Sequence, residues 1–91
     1  MKVKELLSRP ENWIKHDFAV NKEGYDTYPD KEDACAWCLI GAIEKCYPPY
    51  QRSKIKGKVR NKINSWGIAV WNDRLETKYE DVIKLVEELD I

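Results

Sequence analysis

Apolar residues first recur at helical spacing: Val3, Leu6 and Leu7 stand at i, i+3 and i+4, the stripe of a short amphipathic helix. Pro10 stops that helix, because the residue before a proline is pushed out of the helical region. The period then changes. Between residues 13 and 20, Ile14, His16, Phe18 and Val20 share one parity and Lys15 and Asp17 the other, the two-residue repeat of a half-buried strand. Residues 21–24 read as a turn in which Gly24 can take a positive φ, and residues 25–28 as a short returning strand ended by Pro29. A lone hairpin is marginal in water, so this one must lie against helices.

Asp30, Glu32 and Asp33 precede the most apolar run of the chain, where the positive end of a helix dipole favours acids. Residues 33–46 read as a helix that is apolar nearly all round, the buried centre of a fold. Gly41 is costly inside an exposed helix and is expected here to let another element approach closely. Pro48 and Pro49 end the segment. Residues 51–65 fit two patterns: Ile55, Val59 and Ile63 make a helical stripe, while K-I-K-G-K-V-R-N-K-I alternates like a strand. The length, with only Gly57 as a turn signal, favours a helix. Residues 68–71 form an apolar link into Asn72 and Asp73. Thr77 and Glu80 stand in capping-box spacing, and Val82, Ile83, Val86 and Leu89 make the inward stripe of a last helix. The expected fold is α+β and mainly α, about four helices packed with one β-hairpin near the N-terminus.

The chain has 91 residues, of which 43 % are hydrophobic and 35 % charged. That suits a single domain over residues 1–91 with one modest core. Sixteen basic and sixteen acidic side chains cancel, so no net field attracts nucleic acid or an anionic membrane. The longest run without a polar side chain, residues 34–43, is about half a bilayer span. The opening residues break off before a signal-peptide core would form, and the expected location is the cytoplasm, away from any membrane.

Charge is nevertheless uneven. Seven basic residues and no acid lie between Lys45 and Asn72, and six acids against two lysines lie from Glu76 onward. On a helix, Lys54, Lys58 and Lys62 line one face and Arg52, Lys56 and Arg60 the next. These six are candidates for a polyanion site; a solvated surface set against the acidic last helix is the other reading.

Cys35, Cys38 and Cys46 are an odd number of thiols, which argues against a disulfide framework. A redox C-x-x-C is disfavoured by the acids just before it, which raise a thiol's pKa. Zinc needs four ligands, and only Cys46 and His16 stand ready to complete Cys35 and Cys38. Buried structural thiols suit this apolar segment better, so no metal and no cofactor is expected.

Two segments, A-C-A-W-C-L-I-G-A-I at 34–43 and W-N-D-R-L-E-T-K-Y-E-D-V-I at 71–83, resemble an uncharacterised family of small bacterial and phage proteins. Its pattern is a Trp-containing N-terminal hairpin, a helix reading W-C-x-x-G-A, and a later W-N-D before a Thr-capped helix. The matching positions are Trp13, Trp37, Cys38, Gly41, Ala42, Trp71, Asn72, Asp73, Thr77 and Val82. Cys35, His16 and the basic stretch depart from it. The resemblance implies a fold and positions, and no activity.

Asn72 and Asp73 either lock the turn before the last helix through backbone N–H groups or form a polar pair at a pocket walled by Trp13, Trp37 and Cys38. An amide with a carboxylate can read a base or an amine. The expected function is a small non-enzymatic binding or adaptor protein, monomeric or homodimeric, whose partner is a protein or a small polar ligand. The alternatives are a nucleic-acid-binding accessory protein using residues 52–62, and a small enzyme using Cys38 and Asp73. A pocket that brings Cys38 and Asp73 together would favour the enzyme.

Overall fold

The computed structural model describes all residues, 1–91. Five helices carry about half of the chain: α1 (Val3–Leu6), α2 (Leu39–Cys46), α3 (Pro49–Ile63), α4 (Ile68–Asp73) and α5 (Tyr79–Leu89), with two short strands, β1 (Ala19–Val20) and β2 (Ala36–Trp37). The architecture is mainly helical α+β, as the periodicities indicate. No helix is long and apolar enough to cross a membrane.

The core is built from the stripes seen in the sequence. Val3, Leu6 and Leu7 of the first turn and its end meet Leu39, Ala42 and Ile43 of α2, Ile55 and Val59 of α3, and Val82, Leu85 and Val86 of α5, all buried. The 51–65 ambiguity resolves as a helix because alternate residues do not share a face there; Ile55 and Val59 are buried while Lys54 and Lys58 are exposed. Asn64 ends α3 in the left-handed conformation, φ 54°.

Four local readings differ. The strand over 13–20 contracts to β1, and its antiparallel partner is β2 (Ala19 opposite Trp37, Val20 opposite Ala36). Residues 25–28 contribute only a single bridge, Asp26 to Val20. The two-residue repeat fails at His16, whose φ is +76°; a left-handed residue cannot continue a pleat. Residues 33–38 are therefore not helical. They turn and pair with β1, and α2 begins only after Cys38, whose Sγ accepts the Gly41 N–H at 3.3 Å. The 68–71 link is the helix α4.

The capping box is displaced by one residue. Lys78 N–H donates to Asp81 at 2.9 Å, while the buried Thr77 hydroxyl donates to the Trp71 carbonyl at 2.6 Å, satisfying an acceptor at the end of α4.

Gly41 does what its position suggests. A Cβ there would lie 1.9 Å from the Phe18 carbonyl oxygen, so only hydrogen lets residue 18 lie across the start of α2. Gly41→Ala is expected to destabilise the fold by about 3 kcal/mol or more, since a backbone clash offers no rotamer escape; denaturant melts measure it.

The two chain ends are held together. Val3 N–H donates to the Ile91 carbonyl at 2.6 Å, and the Asp90 carboxylate meets Lys4 and Lys2 at 2.6 and 2.9 Å. Hydrogen bonds from Lys4 and then Lys2 hold Asp90 down to about 2. The stabilising contribution of a depressed carboxylate is present above its unfolded value of about 3.9 and disappears as pH falls through the folded one. Thermal melts from pH 5 to pH 1.5 should show this loss spread between about pH 4 and pH 2, and Asp90→Asn should remove that component.

Candidate functional site

Asn72 is fully buried and joins three distant pieces of chain. Its Oδ1 accepts the Trp13 indole N–H at 2.7 Å and the Leu39 backbone N–H at 3.0 Å. Its Nδ2 donates to the Ile14 carbonyl at 3.1 Å and to Asp73 Oδ1 at 2.9 Å. The amide's hydrogen-bonding capacity is fully used, and one of its partners is an orphan donor at the start of α2. Asp73 extends the network: its Oδ1 also accepts the backbone N–H of His16 at 2.9 Å, which fixes the left-handed residue. These are tertiary locks spanning 33 to 59 residues, and not local turn bonds.

Beside this network lies a cleft of about 330 Å³, lined by His16, Asp17, Phe18, Asp26, Cys38, Ala69 and Asp73. Segment 16–18 supplies one wall; the start of α2 and one side of α4 supply the other. Of the five residues expected at a pocket, Cys38 and Asp73 reach it. Trp13 is half-buried and bonded to Asn72, Trp37 is buried with its indole N–H on the Pro29 carbonyl at 2.9 Å, and Asn72 is sealed inside. Those three build the scaffold and do not line the cleft. His16, Asp17, Phe18, Asp26 and Ala69 carry no sequence signal as lining residues, because they come from separate segments that only the fold brings to one cleft.

The cleft gathers three carboxylates and a histidine, with no lysine or arginine in its lining. His16 Nδ1 stands 3.8 Å from Asp73 Oδ2. Asp73 thus divides its work between two oxygens: Oδ1 holds the scaffold, and Oδ2 remains for the cleft. Cys38 is only 5 % exposed. Burial raises its pKa, the Gly41 and Ile40 N–H groups oppose the rise, and the Asp73 carboxylate adds to it. That is the reverse of what activates a nucleophilic thiol.

The chain matches the model of a family of unknown function, DUF6197, over residues 1–89. It belongs to that family. Neither the curated proteins nor the solved structures offer a match to the DUF6197 chain.

Elsewhere, the six cations of the basic stretch are unequal. Arg52 donates to the carbonyls of Tyr47 and Glu44, Lys56 pairs with Glu44 and Lys62 with Glu88, and Arg60 donates to the Trp66 carbonyl. Lys54 and Lys58 alone project with no internal partner. No three His, Cys, Asp or Glu side chains cluster as metal ligands, so His16 and Cys46 do not come together with Cys35 and Cys38.

Burial also pushes the Cys46 thiol up to about 11, whereas Cys35 is exposed. At pH 8 a thiol reagent should modify Cys35 rapidly in folded protein and Cys38 and Cys46 only on unfolding; three fast thiols in the native state would contradict the burial. Asn72→Ala strands the Trp13 and Leu39 donors and the Ile14 carbonyl, and should destabilise by about 3 to 5 kcal/mol. Asp73→Ala, which strands the His16 N–H, should destabilise by about 1 to 2 kcal/mol. An Asp73→Ala unfolding midpoint at or above the parent's would remove the scaffold role and leave Asp73 to the cleft alone.

Proposed function

We propose that this DUF6197 protein is a small non-enzymatic binding or adaptor protein of the bacterial or phage cytoplasm, and that its cleft receives a cationic group, an amine or guanidinium of a small molecule or of a partner's side chain. The cleft's lining carries the reading: Asp17, Asp26 and Asp73 surround a space whose apolar wall is Phe18, itself 54 % exposed. Carboxylates beside an aromatic ring favour a desolvated cation. Asp73 is an acceptor held in place by its other oxygen, so little order is lost when a ligand binds it.

Bringing Cys38 and Asp73 to one cleft also favours the enzyme alternative on geometry. The chemistry does not support it. The Cys38 thiol is held protonated by burial and its sulfur accepts a helix N–H, so a general base would have to overcome both before attack.

The test is a titration of isotope-labelled protein with putrescine and with arginine amide, followed by amide chemical shifts. Saturable shifts confined to residues 16–18, 26, 38, 69 and 73 are expected, and Asp17→Asn with Asp26→Asn should weaken binding at least tenfold without lowering the melting temperature. Absence of saturation at millimolar ligand, or affinity unchanged in the double variant, would refute a cation-binding cleft.

A further inference from the structure

A second cleft, of about 310 Å³, lies at the other end of the molecule's charge distribution, lined by Gly57, Arg60, Asn61, Asn64, Ser65 and Trp66. Trp66 is 87 % exposed, and the surrounding chain holds it outward. Asn64 turns the backbone through its left-handed φ. Ser65 Oγ accepts the Gly67 N–H at 3.2 Å. Arg60 Nε donates to the Trp66 carbonyl at 3.1 Å and its guanidinium carbon stands 5.8 Å from the ring centroid. A large aromatic surface is thus kept in water by groups that do nothing for the core, with an arginine beside it.

The face leading to Trp66 is equally distinct. Lys54, Gly57, Lys58 and Asn61 follow one another at i, i+3, i+4 and i+7 on α3 and so share a side. A Cβ at Gly57 would meet nothing within 4 Å, which leaves that side open. Lys54 and Lys58 are exposed and make neither an ion pair nor a hydrogen bond within the protein, and no acid occurs between Lys45 and Asn72.

We propose that this end of α3 binds single-stranded nucleic acid: one base stacks on Trp66, the Asn61 and Asn64 amides meet base edges, and Arg60, Lys58 and Lys54 neutralise the phosphates that run up the helix. Aromatic stacking with a short cationic track is the chemistry by which unpaired strands are held with little sequence preference. A duplex hides its base faces from a lone tryptophan. Lys54 and Lys58 are separated by about 6 Å along the axis, so the contact spans only a few nucleotides. This site is independent of the acidic cleft, and either can fail without the other.

The test uses ten-nucleotide oligothymidylate and oligouridylate at low salt, with anisotropy of the labelled strand and tryptophan fluorescence of the protein as readouts. Binding with quenching of the indole emission is expected. Trp66→Ala should weaken it about five- to a hundredfold, the range for losing one base stack, and Trp66→Phe should restore most of the loss. Lys54→Gln with Lys58→Gln should lower the slope of log affinity against log salt by about 1.4, two single-strand phosphate contacts. All these side chains are exposed, and circular dichroism checks that each variant folds. No anisotropy change at low salt, undiminished affinity in Trp66→Ala, or equal affinity for a ten-base-pair duplex would each overturn the proposal.

Discussion

The Asn72 side chain is the point on which the arrangement turns. It is buried in a position where a donor and an acceptor are both required: the Trp13 indole and the Leu39 amide need an oxygen, and the Ile14 carbonyl needs an N–H. An aspartate has the shape without the donor, and a leucine would leave three polar groups unpaired. Because Leu39 opens α2 and Ile14 belongs to the irregular N-terminal stretch, one amide sets how residues 13–18 lie against α2 and α4. The close pass of Phe18 over Gly41 and the left-handed turn at His16 follow from that placement, the second held by the neighbouring Asp73.

The acidic cleft is a consequence of the same constraint, since its walls are the segments that Asn72 and Asp73 tie together. Scaffold and site are therefore separated by atoms more than by residues. Asp73 anchors with Oδ1 and leaves Oδ2; Cys38 caps α2 with its sulfur while lining the cavity. The overall neutrality of the chain conceals two faces of opposite sign, the carboxylates of this cleft and the unpaired lysines of α3.

The helices were legible where burial repeats in sequence: the first turn, the 51–65 stripe, and Val82 and Val86 of α5 show the periods that they need. The role of Gly41 is legible for the same reason, because a glycine in a buried helix has few other uses. What depended on distant partners was not legible. The parity of Ile14, His16 and Phe18 suggested a continuous strand, but a hydrogen bond from residue 16 to residue 73 bends the chain out of the pleat. Acids at 30–33 resemble a helix start, yet pairing of Ala36 and Trp37 with β1 holds those residues extended until Cys38. Thr77 has a cap's chemistry and uses it backward, on the end of α4. At the cleft, Cys38 and Asp73 stand out by motif, whereas Asp17 and Asp26 are ordinary acids until the fold brings them into one lining.

The four tryptophans make the closing distinction. Trp13 and Trp37 each place an indole N–H on an internal acceptor, and Trp71 packs partly buried against the core. Those three rings pack in or against the core. Trp66 is held by Arg60 and the Asn64 turn in a position that adds almost nothing to that interior. Hydration of an exposed indole opposes such an arrangement, and a smaller polar residue would satisfy the turn equally well. The scaffold therefore explains three of the four rings, and the fourth is left as the exposed face on which the proposed strand would stack.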